Sequence, residues 1–212
     1  MASAYINKRA AAQRAPFIVP KIIFLLVTVI KIVYNDIMEI KEHEQYIRRC
    51  YELAISAGKK GHDTFGAIIV YKGTILQEAE NTAKNKNGLF GHAEFNLVCK
   101  CANKYSDEVL RESTFYTSCA PCARCLAAIA SLGIKNIVFG VSYQKFSLLT
   151  PNDYKAIDHE KVLSEIGIDI KMIGPILQDE GMRVFAYWGG EYHPLTELIE
   201  QMAKIKRKTK KQ

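Results

Sequence analysis

The chain has no GxGxxG fingerprint and no GxxxxGK[ST] loop, so neither a dinucleotide-binding turn nor a phosphate-cradling loop is signalled. It also lacks a long uninterrupted apolar run. Ile22 to Ile30 is nine residues, and Lys31 breaks the extension into Ile32-Val33-Tyr34, which is too short to cross a bilayer. No transmembrane span is expected. Acidic residues are absent where basic ones gather: none precedes Asp36, and none lies in residues 203–212. Residues 1–37 carry +4 and residues 203–212 carry +6, so the overall +7 leaves −3 on the remaining 165 residues. A protein that grips a long phosphate backbone generally needs a basic face on its binding domain. Here the basicity belongs to the tails, and nucleic acid is not the favoured partner.

What is present is a chain of 212 residues, nearly half of them apolar, enough for one domain with a substantial core and two tails. Six cysteines stand at 50, 99, 101, 119, 122 and 125. Their even number need not mean disulfides, because His92-Ala93-Glu94 and Pro121-Cys122-Ala123-Arg124-Cys125 together offer metal ligands. A catalytic zinc takes three protein ligands and keeps one position for water. His92, Cys122 and Cys125 supply three suitable donors, and Glu94 is a carboxylate placed to move that water's protons. Metal-bound thiolates fit a reducing compartment, so the cytosol is the default location. Cys50, on a helical apolar stripe, reads as core, and Cys99 and Cys101 as packing or surface residues. Cys119 is a conceivable fourth ligand, which would make the zinc structural.

His-x-Glu followed by Pro-Cys-x-x-Cys is the zinc deaminase signature. With Phe65-Gly66-Ala67-Ile68-Ile69-Val70, Glu80-Asn81 and Gly174-Pro175-Ile176-Leu177, it makes residues 38–188 resemble the cytidine deaminase superfamily. The branch most resembled holds guanine, fungal-type cytosine and tRNA adenosine deaminases. Guanine deaminase-like members usually carry an acid before Pro-Cys, where this chain has Ala120. The resemblance implies a three-layer α/β/α sandwich around a mixed five-stranded sheet, one Zn2+ per chain and a homodimer. It implies hydrolytic deamination of a base or nucleoside, a guanine-like purine favoured, with zinc-held hydroxide attacking the amino-bearing ring carbon. Glu94 would shuttle protons, the Cys122 N–H would steady the tetrahedral oxygen, and Asn81, Phe65 and Ala93 would contact substrate. Two other readings are a tRNA adenosine deaminase, for which the Lys206–Lys211 run speaks, and a non-catalytic zinc module.

Pattern alone predicts a helix from Glu44 to Lys60 stopped by Gly58 and Gly61, then strands 65–71 and 74–80 joined at Lys72-Gly73. A polar loop over 81–88 leads to a helix from His92 to about 101–104, a strand 113–117, and a helix starting near Pro121 and ending at Gly133. A strand 136–141 precedes an unpatterned loop, 142–158, whose Asp153, Tyr154 and Asp158 are candidates for base recognition. A helix at 159–166, a strand at 169–173 and helices at 178–187 and 194–206 complete the domain, taken as residues 38–202. Residues 203–212 read as a basic tail. Residues 1–37 read as a targeting segment, an interfacial anchor, or an appendage upstream of a start at Met38.

Overall fold

The structure, a computed structural model, describes residues 18–84, 88–150, 158–165, 167–188 and 190–209. It falls into two compact units divided between Glu39 and Ile40. Helix α1 (Ile18–Lys59) begins well before the helix predicted from Glu44. In the second unit, α1 buries Tyr46, Ile47, Cys50, Tyr51, Ala54 and Ala57, the i, i+3/i+4 stripe of an amphipathic helix. Gly58 does not end the helix. It lies inside it, where a Cβ would meet the side chains of Thr64 and Tyr187. Gly61, with φ of +83°, makes the turn.

Strands β1 (Gly66–Tyr71) and β2 (Thr74–Glu80) form a hairpin. Its two turn residues, Lys72 and Gly73, both take positive φ, as a two-residue primed turn requires. Helix α2 (Ala93–Cys101) and the short α3 (Asp107–Arg111), N-capped by Ser106, lead to β3 (Thr114–Cys119). Then come α4 (Ala123–Ser131), β4 (Asn136–Val141) and α5 (Tyr143–Phe146), with a 3-10 turn at Ser147–Leu149. Residues 142–150 are thus ordered elements. Asp153 and Tyr154 lie outside the described residues, and Asp158 is exposed just before α6 (His159–Glu165). The chain closes with β5 (Lys171–Ile173), α7 (Gln178–Phe185), a small hairpin of β6 (Tyr187–Trp188) and β7 (Glu191–Tyr192), and α8 (Leu195–Thr209). Pattern reading missed that hairpin and α3, and α8 continues as helix into the expected basic tail.

The main sheet has the order β2-β1-β3-β4-β5. β1 runs antiparallel to β2 and β3, while β3, β4 and β5 are parallel, so the sheet is mixed. Alternation divides the strand side chains between two cores. Ala67, Ile69, Phe115 and Ile137 face one core with Leu97 of α2, Leu126 and Ile129 of α4, and Leu163 of α6. Ile68, Val70, Tyr116 and Val138 face the other with α1 and Val184 of α7. This is the three-layer α/β/α sandwich. In the second core the Tyr51 hydroxyl bonds the carbonyls of Ile176 and Leu177, and its ring fills the space where Gly140 and Gly181 lack a side chain. Among the described residues, no helix is long and apolar enough to cross a membrane.

Helix α1 approaches β1 closely enough that a Cβ on Gly66 would collide with the Cys50 carbonyl and the Ala54 backbone nitrogen. Backbone cannot swing aside like a side chain. Gly66→Ala is therefore expected to destabilise the protein by about 1–3 kcal/mol, read as a lower urea midpoint with an unchanged m value.

Candidate metal centre and active site

Two helix starts meet at the carboxyl ends of β3 and β4. His92 is the N-cap of α2 and Cys122 the N-cap of α4; the His92 side chain makes no capping bond, and Cys122 Sγ meets Cys125 one turn on. An N-cap side chain normally turns inward to satisfy the first-turn N–H groups. Here both turn to a shared point. Pro121 precedes the N-cap, one place outside the first helical turn where pattern put it, and its carbonyl is 2.7 Å from Nε2 of His159. Cys125, three residues beyond Cys122, lies on the same side of α4, as i, i+3 spacing requires.

The loop before His92 is held by groups that sequence reading missed. The Asn96 amide reaches back from α2 to the carbonyls of Glu80 and Gly91 and the Thr82 hydroxyl, at 2.9, 3.3 and 3.0 Å. Thr82 N–H donates to the Gly91 carbonyl at 2.7 Å. A Cβ at Gly91 would strike the backbone of Thr82 and Ala83, so only glycine lets the strands of this loop close. The signal for Asn96 was weak, because an asparagine inside a helix normally faces solvent.

Nδ1 of His92 stands 3.8 Å from Sγ of Cys122 and 3.5 Å from Sγ of Cys125. All three donor atoms lie within 4.8 Å of one another. Tetrahedral zinc, with Zn–N near 2.0–2.1 Å and Zn–S near 2.3 Å, separates its nitrogen and sulfur ligands by about 3.6 Å. The donor set fits that ion in both type and spacing. Cys119, buried nearby, is not in the cluster, and no fourth protein ligand joins it among the described residues. Arg124 sets Nη2 3.2 Å from Nε2 of the same imidazole, an arrangement that spacing gave no means to anticipate.

Without metal the two sulfurs share a proton unequally. The bond from Cys125, with His92 beside it, holds the Cys122 thiol down to about 3, against the opposing effect of burial. That bond and burial push Cys125 up instead, and the Cys122 contact raises His92. A divalent cation would bind the thiolate and displace the retained proton.

Glu94, only 5 % exposed, sits on the first turn of α2 with Oε1 3.3 Å from the Thr117 hydroxyl and Oε2 3.8 Å from Cys125 Sγ. Thr117 also lies 3.1 Å from the Cys119 carbonyl. The Thr117 hydroxyl is shared between Glu94 Oε1 and the Cys119 carbonyl, and its bond to Glu94 favours the carboxylate. Burial raises the Glu94 pKa above the ordinary carboxylate value.

Glu94, His92 and Cys122 open onto a cavity of about 370 Å³. Phe65, Phe146 and Phe185 line one wall, their ring centroids 5.1–5.3 Å apart. Ala120 and Cys119 line it near the metal cluster, and Asp63 and Thr64 line it too. Asn81 and Ala93 are buried but do not line the cavity. The Asn81 carbonyl oxygen accepts the Ala83 N–H at 2.8 Å, the local turn typical of asparagine.

The model of the cytidine and deoxycytidylate deaminase zinc-binding region matches residues 40–141, a stretch that holds all three metal donors and Glu94. That stretch is just under half of the chain, and it carries the likeness to the cytidine deaminase superfamily. The proteins this chain is similar to are named as deaminases, hydrolases of C–N bonds. Among its relatives in that superfamily, a probable cytosine deaminase of Schizosaccharomyces pombe is 28% identical over 151 residues, 68% of this chain and 91% of that one. Guanine deaminase of Bacillus subtilis is 37% identical over 90 residues, 41% of this chain and 56% of that one. The tRNA-specific adenosine deaminase subunit tad2 of S. pombe is 27% identical over 128 residues, 58% of this chain but 33% of that one. This chain thus spans a third of one relative, about half of another and most of a third. The fold matches a solved guanine deaminase from Nitrosomonas europaea with a TM-score of 0.54 and 15% identity, covering 74% of this chain and 84% of that one.

Two outcomes test the centre. Cys125→Ala should drop bound zinc, measured by elemental analysis, to a small fraction of one per chain and lower the unfolding temperature. The raised Glu94 pKa means the native zinc-free protein holds a proton that the unfolded chain gives up, so this group's stabilisation is present below its ordinary pKa and fades as pH rises through the raised value. Zinc-free Glu94→Gln should therefore lose less stability than zinc-free wild type between pH 5 and pH 8, compared by urea midpoints.

Proposed function

We propose that the protein hydrolytically deaminates a free nucleobase or nucleoside, a guanine-like purine being the favoured substrate. The observation that carries this reading is the cavity. Its volume of about 370 Å³ is near the low end of the range for small-molecule sites, and it puts a buried carboxylate and the metal donors opposite an aromatic wall. Phe65, Phe146 and Phe185 offer ring edges and faces for stacking a flat heterocycle. The similarity to guanine deaminase supports a purine, although Ala120 stands where guanine deaminase-like chains usually have an acid.

His92, Cys122 and Cys125 would hold zinc, which when bound supplies the Lewis acidity that makes water nucleophilic near pH 7. Glu94 takes one proton from the attacking water and delivers it to the ring nitrogen next to the amino-bearing carbon, then takes the second proton from the newly added hydroxyl as it becomes a carbonyl and gives it to the departing amine. Its raised pKa brings the charged and neutral forms closer in energy, as a group that both takes and gives a proton needs. The first-turn N–H groups of α4, beginning at Cys122, face the developing oxyanion. Phe65 packs the ring, while Asn81 and Ala93 act by shaping the loop and helix start that carry His92. The working assembly is a homodimer in the cytosol.

A second reading, tRNA adenosine deamination, draws on α8. Lys204, Lys206, Arg207 and Lys208 cluster at its end, and Lys206 Nζ bonds the Ser147 carbonyl at 2.8 Å, next to the cavity residues Phe146 and Leu149. A basic helix beside the cavity rim suits a polyanion.

Ammonia release across guanine, cytosine, adenine, their nucleosides and tRNA tests the choice. Free guanine is expected to give the highest kcat/KM, whereas turnover confined to tRNA would replace the first reading with the second. Glu94→Gln should cut kcat by about 10²–10⁴-fold while zinc stays bound; full activity would remove Glu94 from the mechanism.

A further inference from the structure

The first unit carries a surface that deamination does not use. Ile23, Phe24, Leu25, Leu26, Val27, Val29 and Ile30 of α1 are all exposed, Phe24 the most at 74 %. Successive helical residues step by about 100°, so Ile23 to Val27 alone go all the way round the axis. A helix at the surface of a soluble protein is apolar along one stripe, and a single partner helix covers one stripe. Apolar side chains on every side need a medium that surrounds them.

The one polar residue within the run keeps the same character. The Thr28 hydroxyl donates to the Phe24 carbonyl at 2.9 Å, so its hydrogen is satisfied inside the helix. Cations bracket the run: Lys21 precedes it and an exposed Lys31 follows it, with Lys8, Arg9 and Arg14 further upstream and no acid before Asp36. Long lysine stems can lie along apolar surface while their ammonium groups reach lipid headgroups. Nine helical residues extend about 14 Å, half of a hydrocarbon core of about 30 Å.

We propose that residues 22–30 anchor the protein to an anionic lipid bilayer by lying along one leaflet below its headgroups, which Lys21 and Lys31 reach from the two ends of the run. The proposal is independent of the substrate and of the zinc centre. A second copy of this helix would shield one side of the run and bring its lysines together, which is why lipid is the occupant chosen here.

Flotation of the full chain with vesicles of phosphatidylcholine, alone or mixed with phosphatidylserine, tests this. The protein should float with the vesicles, more completely with phosphatidylserine, and stay bound through a high-salt wash. The triple substitution Phe24→Asp, Leu26→Asp, Ile30→Asp should reduce partitioning by about tenfold or more, since each lost apolar insertion alone is worth that factor. Ammonia release should be unaffected, which also shows that the variant is folded. Wild-type protein left unfloated with both vesicles, complete release by salt, equal flotation of the variant, or self-association without lipid binding would each overturn the proposal.

Discussion

Two sulfurs and an imidazole, all able to hold charge or protons, are pressed to within 4.8 Å of each other at the edge of a cavity. Left alone, such a group favours a thiolate at Cys122, lowered by its bond with Cys125 and by His92 beside it. Keeping the donors in place rather than letting them drift apart is the task of the surrounding architecture. Helices α2 and α4 start at this point, so each contributes its N-cap side chain, His92 and Cys122, to the cluster. The positive ends of both helix dipoles favour the thiolates. Parallel β3 and β4 deliver the chain to that point, at the carboxyl end of the strands where open α/β sheets place their crevices.

The supporting contacts run from the sheet outward. The Asn96 amide ties the 80–91 loop to α2, Gly91 permits that loop to close, and His159 holds the Pro121 carbonyl next to Cys122. Glu94 is enclosed by Thr117, itself fully buried on β3. Chemistry and core are therefore continuous. The face of β3 that turns Phe115 and Thr117 toward α2 is the same face that builds the first hydrophobic core.

Much of this was legible before any coordinates. The hairpin at Lys72-Gly73 and the strands 74–80 and 136–141 follow from turn chemistry and short apolar runs, which are local. The metal donors were legible because their residue types are rare and their order is specific. Arg124, Asn96 and Thr117 were not, since their roles depend on partners 32, 5 to 16 and 23 residues away. Neighbour spacing does not encode such pairings. Asn81, expected from the resemblance to contact substrate, uses its side-chain oxygen to accept the Ala83 N–H. The early start of α1 was unreadable for another reason. Its apolar residues from Ile23 to Ile30 have no single-sided period, so the amphipathic signature that marked residues 44–60 is absent there.

Tyr51 bridges three segments far apart in sequence. Its hydroxyl meets the carbonyls of Ile176 and Leu177, and its ring occupies the room left by Gly140 on β4 and Gly181 on α7. These three positions should drift as a unit over evolutionary time. A lineage that trades the phenol for a smaller residue frees both glycines to grow, whereas one that keeps the phenol is barred from enlarging either.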